Sequence, residues 1–253
     1  MPEFTEYATG MPCWVDVMSP DVGATTAFYS ALFGWEAEPD PRPEAGGYTM
    51  YTLKGKYVAA ASPPQAEGVP TAWTTYIAAD DVDSAAARVT EAGGTILAAP
   101  FDVLEAGRMA VAQDPAGAVF GIWQAGRHHG AQLANEPGSL SWNECLTTDA
   151  AAAEAFYRAV FDYGVQPVRM GEAEPYRVLE VGGRGVAAIS QTTRVPHWAT
   201  TFSVADTDAT CARAAELGGS VLSDPRDLPG IGRHATLQDP VGAVFGVIQD
   251  PAG

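Results

Sequence analysis

The sequence predicts an α+β protein of two tandem domains, each built from two β-α-β-β-β units. The stretch QDPAGAVFG from Gln113 to Gly121 recurs almost unchanged as QDPVGAVFG from Gln238 to Gly246. Further pairs, such as Trp73 with Trp198, keep the same offset of 125 residues. Within each repeat, patterns typical of strands and helices follow in the order β-α-β-β-β, twice.

The repeat also divides the chain. A length of 253 residues suits two domains of ordinary size. Upstream the offset becomes 128 residues, and a three-residue deletion in one loop explains the change. We expect a first domain at residues 1–125, a linker at 126–138 that is rich in turn residues, and a second domain at 139–253.

The elements of the first half follow from periodicity and from turn chemistry. A strand over residues 13–18 precedes Ser19-Pro20-Asp21, which is typical of a helix start, and Gly34 ends the helix that follows. The other elements are expected as strands 35–38, 48–53 and 57–62, strand 73–79, helix 82–92, and strands 95–99, 108–113 and 118–124. Asp-Pro followed by Gly is a hairpin turn between the last two.

The second half repeats this plan. We expect strand 141–146, helix 150–161, strands 176–181 and 185–190, strand 198–204, helix 209–217, and strands 220–222, 234–238 and 243–248.

Residues 1–10 carry no periodic pattern and are interpreted as a loose arm. His128-His129 in the linker is interpreted as an exposed loop pair rather than a metal site.

Composition limits the function classes. With 14 basic and 31 acidic residues, the formal net charge of −17 disfavours nucleic acid and anionic membranes as partners. The chain has no apolar run long enough to span a bilayer. Its three cysteines show no metal-type spacing and fit reduced thiols in a cytoplasmic protein.

The motifs resemble the vicinal oxygen chelate superfamily, which includes glyoxalase I, the extradiol dioxygenases and the bleomycin resistance proteins. The resemblance rests on the first helix with AFY and LFGW, DDVD before the second helix, AGG after it, and the closing DPxG hairpin. It covers nearly the whole chain, once per half, and implies that each domain curls into a half-open curved sheet. PCWVDVMSPD and SWNEC are also similar to a branch of tandem two-domain proteins that carry glyoxalase-like or hydroxylase labels.

The resemblance also implies where a divalent metal would be held. The ligand positions of metal-using members fall on Trp14 and Trp142, near Thr74 and Ala199, on Gly121 and Gly246, and within residues 59–61 or 187–188. Indole, glycine and alanine offer no donor atom to a divalent ion. The sequence therefore predicts no catalytic metal and no other cofactor.

The positions once used for metal instead suggest a ligand cavity. Because strand side chains alternate, Trp14 shares a face with Asp16, and Trp142 shares one with Glu144. We expect an aromatic pocket with one acidic group that stacks a planar or hydrophobic metabolite. The predicted ligand-binding residues are Trp14, Trp123, Trp142, Tyr48, Tyr176, Thr74, Arg108 and Arg233. The alternative interpretation is that the two indoles fill a disused site with core.

Four residues are candidates for acid/base chemistry: Asp16, Glu144, His197 and His234. A carboxylate in an apolar pocket has a raised pKa and suits general acid/base catalysis. Each acid could instead form a structural ion pair with Lys56 or Arg184, or with Arg108 or Arg233. Because Glu144, His197 and His234 all belong to the second half, an active site is expected there.

The leading hypothesis is a metal-independent protein that binds a small hydrophobic or aromatic metabolite and catalyses non-redox chemistry such as isomerisation, cyclisation, elimination or hydrolysis. One alternative is a non-catalytic binder that sequesters an antibiotic or a toxic metabolite. A weaker alternative is a glyoxalase-like lyase with an atypical metal site. The expected assembly is a monomer with an internal pseudo-dimer, or a homodimer.

Overall fold

The computed structural model describes residues 3–65, 68–169 and 176–251. The first half contains β1 (Pro12–Met18), α1 (Val22–Phe33), β2 (Glu36–Pro39), β3 (Thr49–Leu53), β4 (Lys56–Ser62), β5 (Ala72–Ala78), α2 (Val82–Glu91), β6 (Thr95–Val103), β7 (Gly107–Gln113) and β8 (Val119–Ala125). The ends of the predicted arm and of the predicted second domain, residues 1–2 and 252–253, lie outside the described residues.

The second half contains β9 (Leu140–Thr147), α3 (Ala150–Phe161), β10 (Gly164–Val168), β11 (Tyr176–Val181), β12 (Arg184–Gln191), β13 (His197–Ser203), α4 (Thr207–Glu216), β14 (Ser220–Leu228), β15 (Gly232–Gln238) and β16 (Val244–Gln249). None of the helices in the described ranges is long and apolar enough to cross a membrane. The division at residues 125 and 139 stays a prediction.

Each half forms one open eight-stranded sheet, and the α+β fold class is confirmed. The strand order is β2-β3-β4-β1-β5-β8-β7-β6 in the first half, and the second half has the equivalent order β10-β11-β12-β9-β13-β16-β15-β14. In the first sheet, β1 and β5 pair antiparallel at the centre, where the two β-α-β-β-β units meet. The same register places Tyr76 opposite Trp14 and Thr74 opposite Asp16.

The helix and hairpin signals act as the sequence predicts. Asp21 caps α1 by accepting a hydrogen bond from the backbone N–H of Ala24, at 2.9 Å, and Gly34 ends this helix in the left-handed region at φ 75°. In the first closing hairpin, one oxygen of Asp114 accepts the backbone N–H groups of three following residues, at 2.8–2.9 Å. The recurring motif is therefore a side-chain-capped turn.

Several boundaries differ from the prediction. Strands β6 and β14 continue through Pro100 and Pro225 to Val103 and Leu228, whereas the predicted strands ended at residues 99 and 222. Register shifts on both strands accommodate the prolines, which cannot donate a ladder hydrogen bond. β10 is an additional strand that the sequence did not predict, and it pairs with β11 at the edge of the second sheet.

The N-terminal arm and the linker pack against each other, so the interpretation of residues 3–10 as a loose arm is wrong. Phe4 donates its backbone N–H to the carbonyl of Gln132, at 3.1 Å, and the Tyr7 hydroxyl donates to the carbonyl of Ala131, at 2.6 Å. The backbone N–H of Ala131, in the linker, donates to the carbonyl of Cys13 on β1, at 2.8 Å. These bonds hold both segments against the start of β1, a central strand of the first sheet.

The hydrophobic cores join the two halves. Tyr29 on α1 donates its hydroxyl to Asp239 in the closing hairpin of the second half, at 3.2 Å. Reciprocally, Tyr157 on α3 donates to Asp114 in the first half, at 3.2 Å. Each hairpin aspartate thus caps its own turn and receives a buried tyrosine from the other half. Each large core accordingly contains residues of both repeats.

Candidate functional site

The first half contains a cavity of about 920 Å³ on the concave face of its sheet. Aromatic and apolar side chains from β1, β3, β5, β7, β8 and the linker form most of its walls. Its deeper lining includes Trp14, Asp16, Tyr48, Tyr76, Met109 and Trp123. This volume suits a ligand of a few fused rings.

A buried carboxylate lies at the floor of this cavity. Asp16 is 5% exposed, and its Oδ2 accepts hydrogen bonds from the hydroxyls of Tyr76, at 2.9 Å, and Tyr48, at 3.1 Å. The Tyr48 hydroxyl in turn accepts the indole N–H of Trp14, at 2.9 Å. Trp14, Tyr48 and Asp16, all singled out from the sequence, therefore form one chain of hydrogen bonds.

The environment of Asp16 changes its acidity. Burial raises the pKa of this carboxyl to about 6, and hydrogen bonds from Tyr76, Tyr48 and Thr74 oppose part of that increase. Two of the cations that the sequence suggested as ion-pair partners are paired with other acids: Lys56 with Glu3, at 3.1 Å, and Arg108 with Asp83, at 2.8 Å. Asp16 is thus an ionisable group in a largely apolar cavity, held by neutral hydroxyls.

The linker adds an imidazole to the same cavity. His128 is half-buried, with its ring 4.5 Å from that of Trp14 and 5.8 Å from that of Trp123. The Trp123 indole donates to the backbone carbonyl of His128, at 2.9 Å. The interpretation of the histidine pair as an exposed loop is therefore wrong for His128, whereas His129 is exposed.

Gly121 makes room for a tyrosine rather than for a ligand. A Cβ atom at this position would lie 2.2 Å from Cδ1 of Tyr76. The absence of a side chain at Gly121 would predict open space beside the indoles, and this expectation is wrong because the Tyr76 ring fills that space. Sequence reasoning missed Tyr76, although its position two residues after Thr74 on the same strand face was a usable signal.

Replacing Gly121 by Ala is expected to lower the free energy of unfolding by about 1–3 kcal/mol, because the added methyl overlaps the Tyr76 ring. Urea unfolding of the variant would measure the change. Gly164→Ala is the matched control, since its Cβ would meet no atom closer than 3.4 Å. In a Tyr76→Ala background the Gly121→Ala change should have little effect, and an undiminished cost there would contradict this explanation.

The second half repeats the carboxylate arrangement. Trp142 donates its indole N–H to the Tyr176 hydroxyl, at 2.8 Å, and the Ser190 hydroxyl donates to Oε1 of Glu144. Burial raises the pKa of Glu144, while hydrogen bonds from Ser190 and Tyr176 and the charge of His197 lower it. Trp142, Tyr176 and Glu144 therefore correspond to Trp14, Tyr48 and Asp16.

The two second-half histidines have different surroundings. His197 is exposed, and its Nδ1 lies 2.9 Å from the carbonyl of Val195. His234 lies on β15, where burial and then the charge of Arg226 lower its pKa. Within the described ranges, the Nδ1 atom of His234 is buried without a hydrogen-bond partner.

The two predicted ligand-binding arginines are each held in ion pairs with one acid at a helix start and one acid on the neighbouring strand. Arg108 contacts Asp83 at 2.8 Å and Asp102 at 2.9 Å. Arg233 repeats the arrangement with Asp208 and with Asp227, the latter at 3.0 Å. In both halves the guanidinium thus links the second helix to the strand that precedes the closing hairpin.

Comparisons with known proteins agree with this geometry. The model of a family described as glyoxalase-like domain matches the chain twice, over residues 14–123 and 143–248. The chain belongs to the glyoxalase-like domain family. Two such domains lie in tandem in this chain, and their fold is that of the vicinal oxygen chelate proteins.

Two relatives with curated names align over almost their whole length. The chain is 45% identical over 256 residues to CFP32 of Mycobacterium bovis, provisionally named a glyoxylase, with 98% of each chain covered. It is 43% identical over 264 residues to the anthracycline biosynthesis protein DauV of Streptomyces sp. strain C5, with 97% of this chain and 95% of the relative covered.

A solved structure shows the same fold at low identity. The Mn(II)-bound glyoxalase of Novosphingobium aromaticivorans superposes with a TM-score of 0.66 at 17% identity, over 96% of this chain and 83% of that one. With the relatives, this likeness supports a small-molecule binder or enzyme of the vicinal oxygen chelate fold.

The residues at the usual metal positions of this glyoxalase-like chain do not fit a divalent ion. Trp14 uses its indole N–H to donate to Tyr48, and Gly121 is covered by the Tyr76 ring. No group of three or more His, Cys, Asp or Glu side chains in the described part of the chain is arranged to hold a metal. The buried donors at this cavity are one carboxylate, tyrosine hydroxyls and the His128 imidazole, which is fewer than the three His, Cys, Asp or Glu ligands that such an ion usually takes from a protein.

Proposed function

We propose that this protein binds a small planar aromatic metabolite in the first-half cavity, without a resident metal, and that Asp16 acts there as a general base in a non-redox proton transfer. The observation that carries the proposal is the buried Asp16 carboxylate at the floor of a cavity walled by indole and phenol rings. Ring stacking supplies binding energy, and the carboxylate supplies the chemistry.

The walls favour a flat ligand. Trp14 and Trp123 both line the cavity, together with Tyr48, Tyr57 and Tyr76. Aromatic pairs contribute about 0.5–1.5 kcal/mol beyond the area they bury. The name of the relative DauV refers to the biosynthesis of anthracyclines, which are polycyclic aromatic compounds, and this supports the same ligand class.

The floor favours proton transfer. With a pKa of about 6, Asp16 is mostly ionised at neutral pH and can accept a proton from a C–H or O–H acid of the ligand. Tyr48 and Tyr76 hold the carboxylate in place by donating to its Oδ2. The proton would move to Asp16, and the electron pair would stay on the ligand to drive isomerisation, cyclisation or elimination.

Glu144, His197 and His234 form a second candidate acid/base set. His197 lies on the strand next to Glu144, and the charge of His197 lowers the pKa of Glu144. The first-half site is preferred because Asp16 borders the cavity of about 920 Å³. A non-catalytic sequestering protein would use the same aromatic walls. A metal-dependent lyase, which the provisional name of CFP32 suggests, would require a stoichiometric divalent ion in the purified protein.

Binding can be tested with 1-hydroxyanthraquinone, a planar probe whose absorption quenches tryptophan emission. The wild type is expected to bind it saturably, and Trp14→Leu should weaken binding about tenfold, because a stacking wall is lost. Trp142→Leu is the matched control, since Trp142 makes the equivalent hydrogen bond to Tyr176 in the second half. Absence of saturable quenching, or equal effects of the two substitutions, would contradict binding in the first-half cavity.

A further inference from the structure

The linker segment around His128 is held from both sides. His128 donates its backbone N–H to the carbonyl of Ala106, at 3.0 Å, and its own carbonyl accepts the Trp123 indole. Two residues later, Gly130 has φ 116°, and a Cβ there would lie 2.3 Å from the carbonyl oxygen of Cys13. Only glycine permits this close approach to β1, so Gly130 helps to hold the segment around His128 in place.

The imidazole lies between aromatic walls. Its plane is nearly perpendicular to the Trp14 indole, at 85°, and it meets Trp123 and Tyr57 at 69° and 79°. Contacts on three sides restrict the ring to one region of the cavity. Rotation of the His128 ring by 180° about its Cβ–Cγ bond exchanges the positions of Nδ1 and Cδ2, and of Nε2 and Cε1, at little steric cost.

Among the described residues that line this cavity, the buried side-chain polar atoms are paired apart from one ring nitrogen. Trp14, Tyr48, Tyr76 and Asp16 bond to one another, and the Trp123 indole bonds to a carbonyl. Among the described residues, Nε2 of His128 is buried with no hydrogen-bond partner. A buried polar atom without a hydrogen-bond partner is unfavourable, which points to a partner that the protein alone does not supply.

The protonation state suits a recognition role. Burial, followed by the nearby His129, lowers the pKa of His128 to about 4, so the ring is neutral at physiological pH. A neutral imidazole has one N–H donor and one acceptor nitrogen. It can therefore pair with either a hydroxyl or a carbonyl oxygen.

We propose that His128 forms the hydrogen bond that recognises a hydroxyl or carbonyl substituent on the aromatic ligand. The inference rests on the proposed aromatic ligand and specifies its class: a ring compound with a polar oxygen, phenolic or quinonoid, rather than a plain hydrocarbon. The linker between the two repeats thus contributes a specificity residue to the first-half cavity.

The test compares 2-naphthol with 2-methylnaphthalene, which differ only in a hydroxyl and a methyl group. Displacement of 1-hydroxyanthraquinone gives the affinity of each. We expect the wild type to prefer 2-naphthol about tenfold, and His128→Phe, which keeps a flat ring, to reduce that ratio to about one. His128→Gln should restore part of the preference, because its side-chain amide can again donate to or accept from a ligand oxygen.

The outcomes separate the two proposals. If 2-methylnaphthalene and 2-naphthol both bind, and His128→Phe keeps the wild-type ratio, the role of His128 is overturned while aromatic binding stands. If no probe binds, both proposals fail. Nitrogen-15 spectra of the wild-type histidine rings give a check that needs no variant: 2-naphthol should shift the His128 signals, 2-methylnaphthalene should not, and equal responses would also overturn the inference.

Discussion

Replacing Asp16 by Asn is expected to slow the ring opening of 5-nitrobenzisoxazole by the protein about 100-fold or more. In this reaction a base removes the C3–H proton of the isoxazole ring, the N–O bond breaks, and a coloured cyanophenolate is released. The probe is planar and needs no metal or redox cofactor, so it tests a carboxylate base in an aromatic cavity directly. A positioned general base contributes about 10²–10⁴-fold.

The pH dependence follows from the same carboxyl. Because Asp16 must be ionised to accept a proton and its pKa is raised to about 6, the rate should fall as the pH drops through about 6. Burial disfavours the charged form, so this loss occurs at higher pH than for an exposed aspartate. The Asp16→Asn variant should lack this fall in rate near pH 6.

Glu144→Gln is the matched control for the Asp16 substitution. Glu144 is the equivalent acid of the second half, so its loss should leave the rate nearly unchanged if the first-half cavity is the site. A large effect of Glu144→Gln with none of Asp16→Asn would place the base in the second half. Equal rates for all three proteins, with probe binding retained, would favour the sequestering alternative.

Replacing Phe245 by Ala is expected to lower the free energy of unfolding by about 3–5 kcal/mol. Phe245 is 1% exposed, and its ring lies 5.4 Å from Tyr29 and 6.1 Å from Phe33, both on the helix α1 of the other half. It also lies 6.2 Å from Phe202 in its own half. Truncation therefore leaves a cavity where the two repeats meet.

Urea unfolding followed by circular dichroism and by tryptophan fluorescence measures this change. Val244→Ala, at the neighbouring position that is 41% exposed, is the control and should shift stability by no more than about 0.5 kcal/mol. Because Phe245 packs against α1, both signals should move together in one transition. Two separate transitions, or a cost below about 1 kcal/mol, would show that the halves do not stabilise each other through this contact.

The part of the site on regular strands was predictable. Alternation along β1 placed Trp14 and Asp16 on one face, and the structure brings both to the cavity floor with Tyr48. Thr74, which the resemblance places at a former metal-ligand position, contributes a hydrogen bond to Asp16. Such predictions succeed because period-two geometry is a local property of the backbone.

Contacts between distant segments were not predictable in the same way. Nothing in the linker sequence indicates that His128 turns inward, because its position depends on the bond from Ala131 to Cys13. The ion pairs of Arg108 and Arg233 depend on where the second helix of each half lies against its strands. Only folding brings these groups together.

The sequence by itself determined the duplicated α+β architecture, the capped hairpins, and the loss of donor atoms at the usual metal positions, because repeats, turn residues and side-chain chemistry are written in local order. The tertiary structure decided the size and lining of the first-half cavity, which histidine enters it, and how Tyr29 and Asp239 join the halves. Those features depend on side chains that are far apart along the chain and meet only through packing of the two sheets and their helices.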